Sequence, residues 1–245
     1  MPRQRVDLIN GESYHICHRA VGDSLIFLDQ DDYYRGIFSL YEFNNTQPTE
    51  IWLRRKQRKA EKRLALGSPI PHQSEIVPER DKFVDVLAFC FMPNHIHLLL
   101  RQLKDGGISK FMKKTGGGYA NFFNKKYWRK GHLFNQFKAI HIKDDNQLRN
   151  VITYIHCNPI SLVEPGWKDG GISNPERVVD FLENEYRWSS LWDYKDKPNF
   201  QSVTSRDFLL GLVGKENMKQ EMNSWITYKT ELKKAMDMHD ALFLE

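Results

Sequence analysis

The sequence predicts an α+β fold: a ferredoxin-like antiparallel sheet with helices packed on one face. Elements follow one another in the order strand, helix, strand, strand, helix, strand, helix, and two βαβ-like halves of this kind make such a sheet. Residues 89–101 (FCFMPNHIHLLLR) consist of two apolar segments joined by the turn residues Pro93 and Asn94. This hairpin gives two adjacent strands in the middle of the predicted order.

The first half of the chain contains a strand, a helix and an inserted segment. Residues 14–20 alternate in polarity, so we expect a strand in which His15 and Cys17 share one face and His18 takes the other. Structural roles are expected for these two histidines. Acidic helix-start residues at 29–32 precede a helix over 33–43. The stretch 44–80 is expected to be an insertion with a basic helix over 51–66 and a proline-containing loop over 67–80.

The second half begins with a helix over 108–128. We expect a bend or break at Gly116–Gly118, because three glycines cost a helix roughly 3 kcal/mol relative to alanine. Residues 137–142 read as a strand. Asp144 or Asp145 can cap the following helix, which Pro159 ends. Its apolar stripe packs on the sheet and is formed by Leu148, Val151, Ile152 and Ile155.

Three further helices are expected over 175–184, 204–213 and 216–236. The predicted organisation is therefore a main domain over 1–194, with its basic insertion at about 44–80, and a helical extension over 195–245.

Composition excludes several classes of protein. The 245 residues contain no run of about 20 apolar residues, so no membrane span is expected. The N-terminus lacks the apolar stretch of a signal peptide. Three widely separated cysteines indicate neither a disulfide framework nor a cysteine zinc site. We therefore expect a cytoplasmic protein, associated with the nucleoid if the chain proves to bind nucleic acid.

The charge is unevenly distributed. Residues 54–63 hold seven basic and one acidic residue, and residues 101–143 hold eleven and one. With a total of +5, the remainder of the chain carries 5 − 6 − 10 = −11. A basic surface on an otherwise acidic protein suits a polyanion such as nucleic acid. Aromatic residues interleave with the second basic segment, and its predicted nucleic-acid contacts are Lys113, Lys114, Lys125, Lys126, Arg129, Lys130 and Lys138.

His95 and His97 open the second strand of the hairpin with Ile96 between them. Alternation puts both imidazoles on one face, roughly 6–7 Å apart, where they could bind one metal ion. A His-x-His pair taken alone more often fills a polar face. Tyr154 and Asn158 lie one turn apart on the last helix of the unit. If that helix crosses the histidine face, the Asn158 amide oxygen joins the imidazoles and the Tyr154 hydroxyl lies beside them.

Five motifs, in order FMPNHIHLLL, GGYANFFNKKYWRKGHLF, FKAI, YIHCNP and YRWSS, resemble the REP-associated branch of the single-tyrosine HUH (His-hydrophobic-His) transposases. The resemblance covers roughly residues 14–43 and 83–194. It implies the ferredoxin-like fold reached above. It also implies that His95, His97 and Asn158 bind a divalent metal, Mg²⁺ or Mn²⁺, and that Tyr154 is the nucleophile.

The family cuts and rejoins single-stranded DNA near hairpins without ATP, through a covalent 5′-phosphotyrosine. The implied partner is therefore single-stranded DNA with hairpin structure, and a homodimer is possible. The sequence departs from the family pattern in its 44–80 insertion, in its three glycines and in the shortened segment between GHLF and FKAI, which lacks an expected arginine.

Two other classes of function stay open from the residues themselves. One is a nucleic-acid-binding protein that keeps the fold without cutting. The other is a metal-dependent nuclease that uses water as its nucleophile. Tyr119 and Tyr127 on the basic helix are rival nucleophiles to Tyr154, although we expect them to pack or to touch DNA.

Overall fold

The structure, a computed structural model, describes residues 6–47 and 80–242. The helix expected over 51–66, the loop expected over 67–80 apart from Arg80, and the basic segment 54–63 lie outside the described residues. The strands are β1 (Ser13–Arg19), β2 (Val84–Met92), β3 (His95–Gln102) and β4 (Lys138–His141).

Helices make up much of the remaining described chain. The helices of the main unit are α1 (Gln30–Glu42), α2 (Gly107–Lys126) and α3 (Asp145–Cys157), and a 3-10 turn over Asn158–Leu162 continues α3. The later helices are α4 (Trp167–Gly170), α5 (Pro175–Asp180) with a π turn over Phe181–Glu185, α6 (Leu191–Tyr194), α7 (Arg206–Val213) and α8 (Lys215–Leu242). A short 3-10 turn over Val21–Asp23 follows β1.

The four strands form one antiparallel sheet in the order β2-β3-β1-β4. This is the strand order of the split βαβ arrangement, so the predicted α+β, ferredoxin-like class is confirmed. The register pairs Cys17 of β1 and Cys90 of β2 with His97 on the central strand β3. The histidine pair therefore lies in the interior of the sheet.

The two faces of the sheet bury two separate apolar cores. Ile96, Leu98 and Leu100 of β3 pack with α1 and α2 on one face. Leu99 and the apolar stripe of α3 belong to the core on the other face, together with residues of the C-terminal helices. Every residue of β2 is buried, because both of its faces are covered. The sequence predicted helices on one face of the sheet, and this part of the prediction is wrong. Helices α1 and α2 cover one face, and α3 covers the histidine face together with C-terminal helices.

The glycine run does not interrupt its helix, so the expected bend or break at Gly116–Gly118 is wrong. Helix α2 is continuous over Gly107–Lys126. A Cβ on Gly116 would lie 2.8 Å from Cε1 of His18, and one on Gly118 would lie 2.3 Å from Cε2 of Phe43. The missing side chains let α2 pack closely on its neighbours, and this packing outweighs poor helix propensity.

The ends of the 44–80 segment are joined at its base. The buried Asn44 amide oxygen accepts hydrogen bonds from the backbone N–H groups of Phe83 (3.1 Å) and Val84 (3.2 Å). Thr46 also donates its N–H to the Asp81 carbonyl at 2.9 Å. The chain thus leaves α1 and returns to β2 at one point. No helix in the described part of the chain is both long and apolar enough to cross a membrane.

Candidate active site

His95 and His97 present their Nε2 atoms to each other. His95 Nε2 and His97 Nε2 are 3.0 Å apart, and both side chains are buried. The rings meet edge to face with centroids 4.8 Å apart. The shared face predicted for the pair is therefore observed. The side-chain rotamers bring the two Nε2 atoms closer to each other than the spacing of the two residues along the strand.

The remaining nitrogen of each ring has a partner of its own. His95 Nδ1 lies 2.6 Å from the Asn94 side-chain oxygen. His97 Nδ1 lies 2.9 Å from Nε2 of His15, whose ring stacks on that of His97 with centroids 5.1 Å apart. Because both Nδ1 positions are occupied by hydrogen-bond partners, the two rings are held with their Nε2 atoms toward one point.

Burial keeps the imidazoles of His97 and His15 neutral. Desolvation lowers the pKa of His97 to about 2, and the neighbouring His95 and His15 act in the same direction. Desolvation also lowers the pKa of His15 to about 4. A neutral imidazole is the form that binds a metal ion.

The nitrogen arrangement fits a divalent ion. Two ligand atoms at right angles and about 2.1 Å from an octahedral ion are about 3.0 Å apart. If each Nδ1 carries the ring proton and donates it to its partner, the two Nε2 atoms both have lone pairs. These lone pairs face each other at the observed separation, and a cation between them would stabilise this arrangement. Among the described residues, no group of three His, Cys, Asp or Glu side chains is arranged as a complete metal site.

Helix α3 brings Tyr154 to this face, which is the placement on which the predicted site depends. Its N-cap Asp144 accepts a hydrogen bond from Gln147 N–H, and Leu148, Ile152 and Ile155 bury the stripe that seats the helix on the sheet. The Tyr154 ring is edge-on to His97 with centroids 5.5 Å apart, and 5.8 Å from the His15 ring. The phenol therefore reaches the paired imidazoles.

Asn158 follows at the end of α3 and keeps helical backbone despite preceding Pro159. Its side chain is almost fully buried, and its amide nitrogen has no hydrogen-bond partner among the described residues. Lys168 Nζ donates to Asn158 Oδ1 at 3.4 Å and to the Tyr154 hydroxyl at 3.1 Å. Lys168 thus joins the two residues that the sequence placed one turn apart.

The rival tyrosines are engaged elsewhere. Tyr119 is buried in the core between α1 and α2, and its hydroxyl donates to the Ile26 carbonyl. Desolvation by burial raises the pKa of Tyr119 strongly. The Tyr127 hydroxyl donates to Oδ2 of Asp32 at 2.8 Å. Both tyrosines have structural contacts that account for them.

The predicted nucleic-acid contacts fall into two groups. Lys114 donates to the Asn45 carbonyl at 2.6 Å, Lys126 binds Asp29 and Asp32, and Arg129 donates to the backbone of His132 at 2.9 Å. Those three side chains stabilise the protein itself. The exposed members of the set are Lys113, Lys125, Lys130 and Lys138.

Aromatic surface accompanies the exposed lysines. Trp128 is 93% exposed and has a left-handed backbone, with φ of 52°, between Tyr127 and Arg129. Nearby lies an open cleft of about 320 Å³, lined by residues that include Lys113, Gly117 and Phe134. Exposing the apolar indole ring to water is unfavourable. Its position at a basic turn therefore favours contact with a ligand surface such as an unpaired base.

The family model described as "Transposase IS200 like" matches residues 74–158. The matched segment is similar to that family. It contains His95, His97, Tyr154 and Asn158, and it confirms the resemblance found in the sequence motifs. The IS200-like segment runs from just before β2 to the end of α3, so it includes the central hairpin and the Tyr154 helix. This similarity supports a role in DNA transposition.

Comparison with curated proteins gives no match. Two solved structures are similar. One is described as "Structure of the REP associates tyrosine transposase bound to a REP hairpin" and is 14% identical, with a TM-score of 0.44, covering 80% of this chain and 87% of that one. The other is a bacterial tRNA(His) guanylyltransferase (Thg1)-like protein in complex with GTP, 12% identical, with a TM-score of 0.38, covering 81% and 93%.

Two residues of the site were missed by reasoning from the sequence. His15 was expected to be structural, but its ring stacks on His97, because β1 pairs with β3. The contact depends on how β1 and β3 pair, which the sequence does not show. The one available signal was the expectation that His15 and Cys17 share a face of β1. Lys168 lies ten residues beyond Asn158 in a short helix after the IS200-like segment, and nothing local marks it.

Proposed function

We propose that this protein is a transposase that cleaves and rejoins single-stranded DNA through a covalent 5′-phosphotyrosine at Tyr154. The observation that carries the proposal is the contact between the Tyr154 ring and the ring of His97, whose Nε2 lies 3.0 Å from Nε2 of His95. Contact between the ring of the proposed nucleophile and the proposed metal-binding pair supports this reaction, which needs its reacting groups close together.

The covalent step exchanges one phosphodiester bond for another, so the bond energy is conserved. The Tyr154 hydroxyl oxygen forms a bond to the phosphorus and loses its proton, while the bond from phosphorus to the 3′ oxygen breaks. That oxygen leaves with the electron pair and gains a proton, which gives a free 3′-hydroxyl. Rejoining is the reverse reaction with a 3′-hydroxyl as nucleophile, so no ATP is required.

His95 and His97 would hold the metal, with the Asn158 oxygen as the third protein ligand. When bound there, a divalent ion would withdraw charge from the scissile phosphate and orient it. The Asn158 oxygen is shared with Lys168 in the structure, and an amide oxygen has a second lone pair. Imidazole nitrogens are softer ligands than the oxygens that Mg²⁺ prefers, so we expect Mn²⁺ to serve at least as well as Mg²⁺.

The catalytic unit proposed here is the main domain over 1–194, and 195–245 is its helical extension. The substrate proposed is single-stranded DNA carrying a hairpin, and the exposed lysines beside Trp128 would contact its backbone.

The test is to incubate the protein with labelled single-stranded hairpin DNA and Mn²⁺ and then to denature it. A DNA–protein band that is lost in Tyr154→Phe and retained in Tyr228→Phe would support the proposal, since Tyr228 is exposed on α8. Free cut DNA that persists in Tyr154→Phe would instead indicate a nuclease that uses water. Bound but uncut DNA would indicate a binding protein.

A further inference from the structure

Lys168 makes the closest polar contact to the proposed nucleophile. Its Nζ lies 3.1 Å from the Tyr154 hydroxyl, 3.4 Å from the Asn158 side-chain oxygen and 4.8 Å from the centroid of the Tyr154 ring. The side chain comes from α4, beyond the IS200-like segment. Within the described part of the chain no carboxylate pairs with Lys168, so its charge is directed at the phenol and the amide.

We propose that Lys168 is a further catalytic residue, which holds the reacting oxygen of Tyr154 through a hydrogen bond in both cleavage and rejoining. The inference rests on the proposed function. The phenol oxygen carries negative charge when it attacks the phosphate, and again when it leaves during rejoining. A charge-assisted hydrogen bond from an ammonium group to that oxygen is stronger while the charge is present, so it stabilises the transition state selectively.

The same ammonium fixes the relative position of two site residues. By donating to Tyr154 and Asn158 together, Lys168 holds the phenol oxygen beside the amide that is proposed to face the metal. A phenol is free to rotate about its side-chain bonds, and a donor of fixed position restricts it to one orientation. Restriction of this kind contributes to rate by orientation.

The C-terminal helix α8 holds the segment that carries Lys168. Lys229 Nζ donates to the Lys168 carbonyl, and the Lys229 carbonyl accepts from Ile172 N–H at 3.0 Å. Gly171 has φ of +78°, and a Cβ there would lie 2.5 Å from the Lys229 carbonyl oxygen.

Next to this contact the buried Trp167 ring packs edge-on to Trp225 of α8, with centroids 4.7 Å apart. The extension therefore has a part in the reaction: α8 determines where α4, and with it the Lys168 ammonium, lies relative to Tyr154.

The experiment measures single-turnover formation of the covalent adduct with the hairpin DNA and Mn²⁺ used above. We expect Lys168→Met to slow adduct formation by about 100-fold, the loss typical of removing one donor to a developing oxyanion. Lys168→Arg keeps a cationic donor and should stay within about 10-fold of the wild-type rate. The matched control is Lys234→Met, the same change at an exposed position of α8, and its rate should equal that of the wild type.

Chemical rescue separates a catalytic from a structural role. Ethylamine added to Lys168→Ala should raise the rate of adduct formation, whereas NaCl at equal ionic strength should not, because only the amine can replace the lost donor. Lys229→Met should slow the reaction less than Lys168→Met does, with unchanged DNA affinity, since it only displaces α4. Urea unfolding of each variant establishes that it is folded.

The outcomes distinguish the two proposals. An active wild type with Lys168→Met at the same rate, or with a slow Lys168→Ala that ethylamine does not restore, overturns the role of Lys168 and leaves the proposed function standing. A wild type that forms no adduct with Mn²⁺ and hairpin DNA overturns both.

Discussion

Both ring nitrogens of His97 lie close to another imidazole. His15 contacts Nδ1 at 2.9 Å and His95 contacts Nε2 at 3.0 Å. An imidazole held in this way presents one tautomer and one ring orientation, which is how outer partners tune metal-binding histidines. His15 therefore belongs to the site although it is not one of the proposed ligands.

We expect His15→Gln to weaken Mn²⁺ binding by about 10- to 100-fold, the usual loss when the outer partner of a metal-binding histidine is removed. Calorimetric titration of the DNA-free protein with Mn²⁺ measures the change. The control is His18→Gln, the same substitution on the same strand, because the His18 ring stacks on Phe134 on the opposite face. Equal affinities in the two variants would contradict a supporting role for His15.

At the scale of elements, local patterns predicted the strands and helices of the main unit to within a few residues. The hairpin at Pro93 and Asn94, the alternation of β1 and the apolar stripe of α3 all lie where the sequence indicated. The contacts of His15 and Lys168 could not be predicted in the same way. The first depends on the pairing of strands about 80 residues apart, and the second on where α8 packs.

The continuous helix α2 is a second feature that local patterns could not predict. Propensity alone favours a break at three consecutive glycines, but two of them are required by close contacts with His18 and Phe43. Gly117, between them, has open space where a Cβ would be. The run therefore combines two packing glycines with one that packing does not require.

This division leads to opposite expectations for neighbouring substitutions. Gly117→Ala should raise the free energy of unfolding by about 0.5–1 kcal/mol, because alanine has the better helix propensity and meets no neighbour. Gly118→Ala should lower it by about 1–3 kcal/mol, because the new Cβ overlaps the Phe43 ring. Urea unfolding of both variants measures the difference, and the same sign of change in both would show that packing does not determine the run.

At the scale of the whole molecule, buried neutral histidines on both faces of the sheet make stability depend on pH. Desolvation lowers the pKa of His18 to about 4 and that of His156 to about 3. In the unfolded chain these groups have a pKa near 6.5, so below that pH the unfolded state takes up protons that the folded state does not. The free energy of unfolding therefore falls as the pH decreases from about 6.5 toward 4.

His156→Gln should reduce that dependence. His156 is buried, and its Nε2 lies 2.9 Å from the Ser190 hydroxyl oxygen. Replacing it removes a contribution of up to about 1.4 kcal/mol per pH unit over this range. Urea unfolding at pH 7, 6 and 5 gives the slope for each protein. Parallel slopes for the wild type and His156→Gln would mean that His156 is protonated to the same degree in both states.

The basic surface gives the last prediction, because the structure separates lysines that are free to contact DNA from those that hold the fold. Log affinity falls as log salt concentration rises. Removing one phosphate contact should make this slope shallower by about 0.7 for single-stranded DNA. We expect that decrease for Lys130→Met and for Lys138→Met, since both side chains are exposed. Filter binding of the hairpin DNA at several salt concentrations measures it.

Lys126→Met provides the contrast. Lys126 lies 2.8 Å from Oδ1 of Asp32, whose side chain has no exposed surface. Losing the cation leaves a buried carboxylate without a positive charge beside it, which destabilises the fold while the phosphate contacts stay in place. We therefore expect the salt slope of Lys126→Met to equal that of the wild type and its urea midpoint to fall. A decreased slope in Lys126→Met with unchanged stability would mean that the ion pairs to Asp29 and Asp32 open to bind DNA.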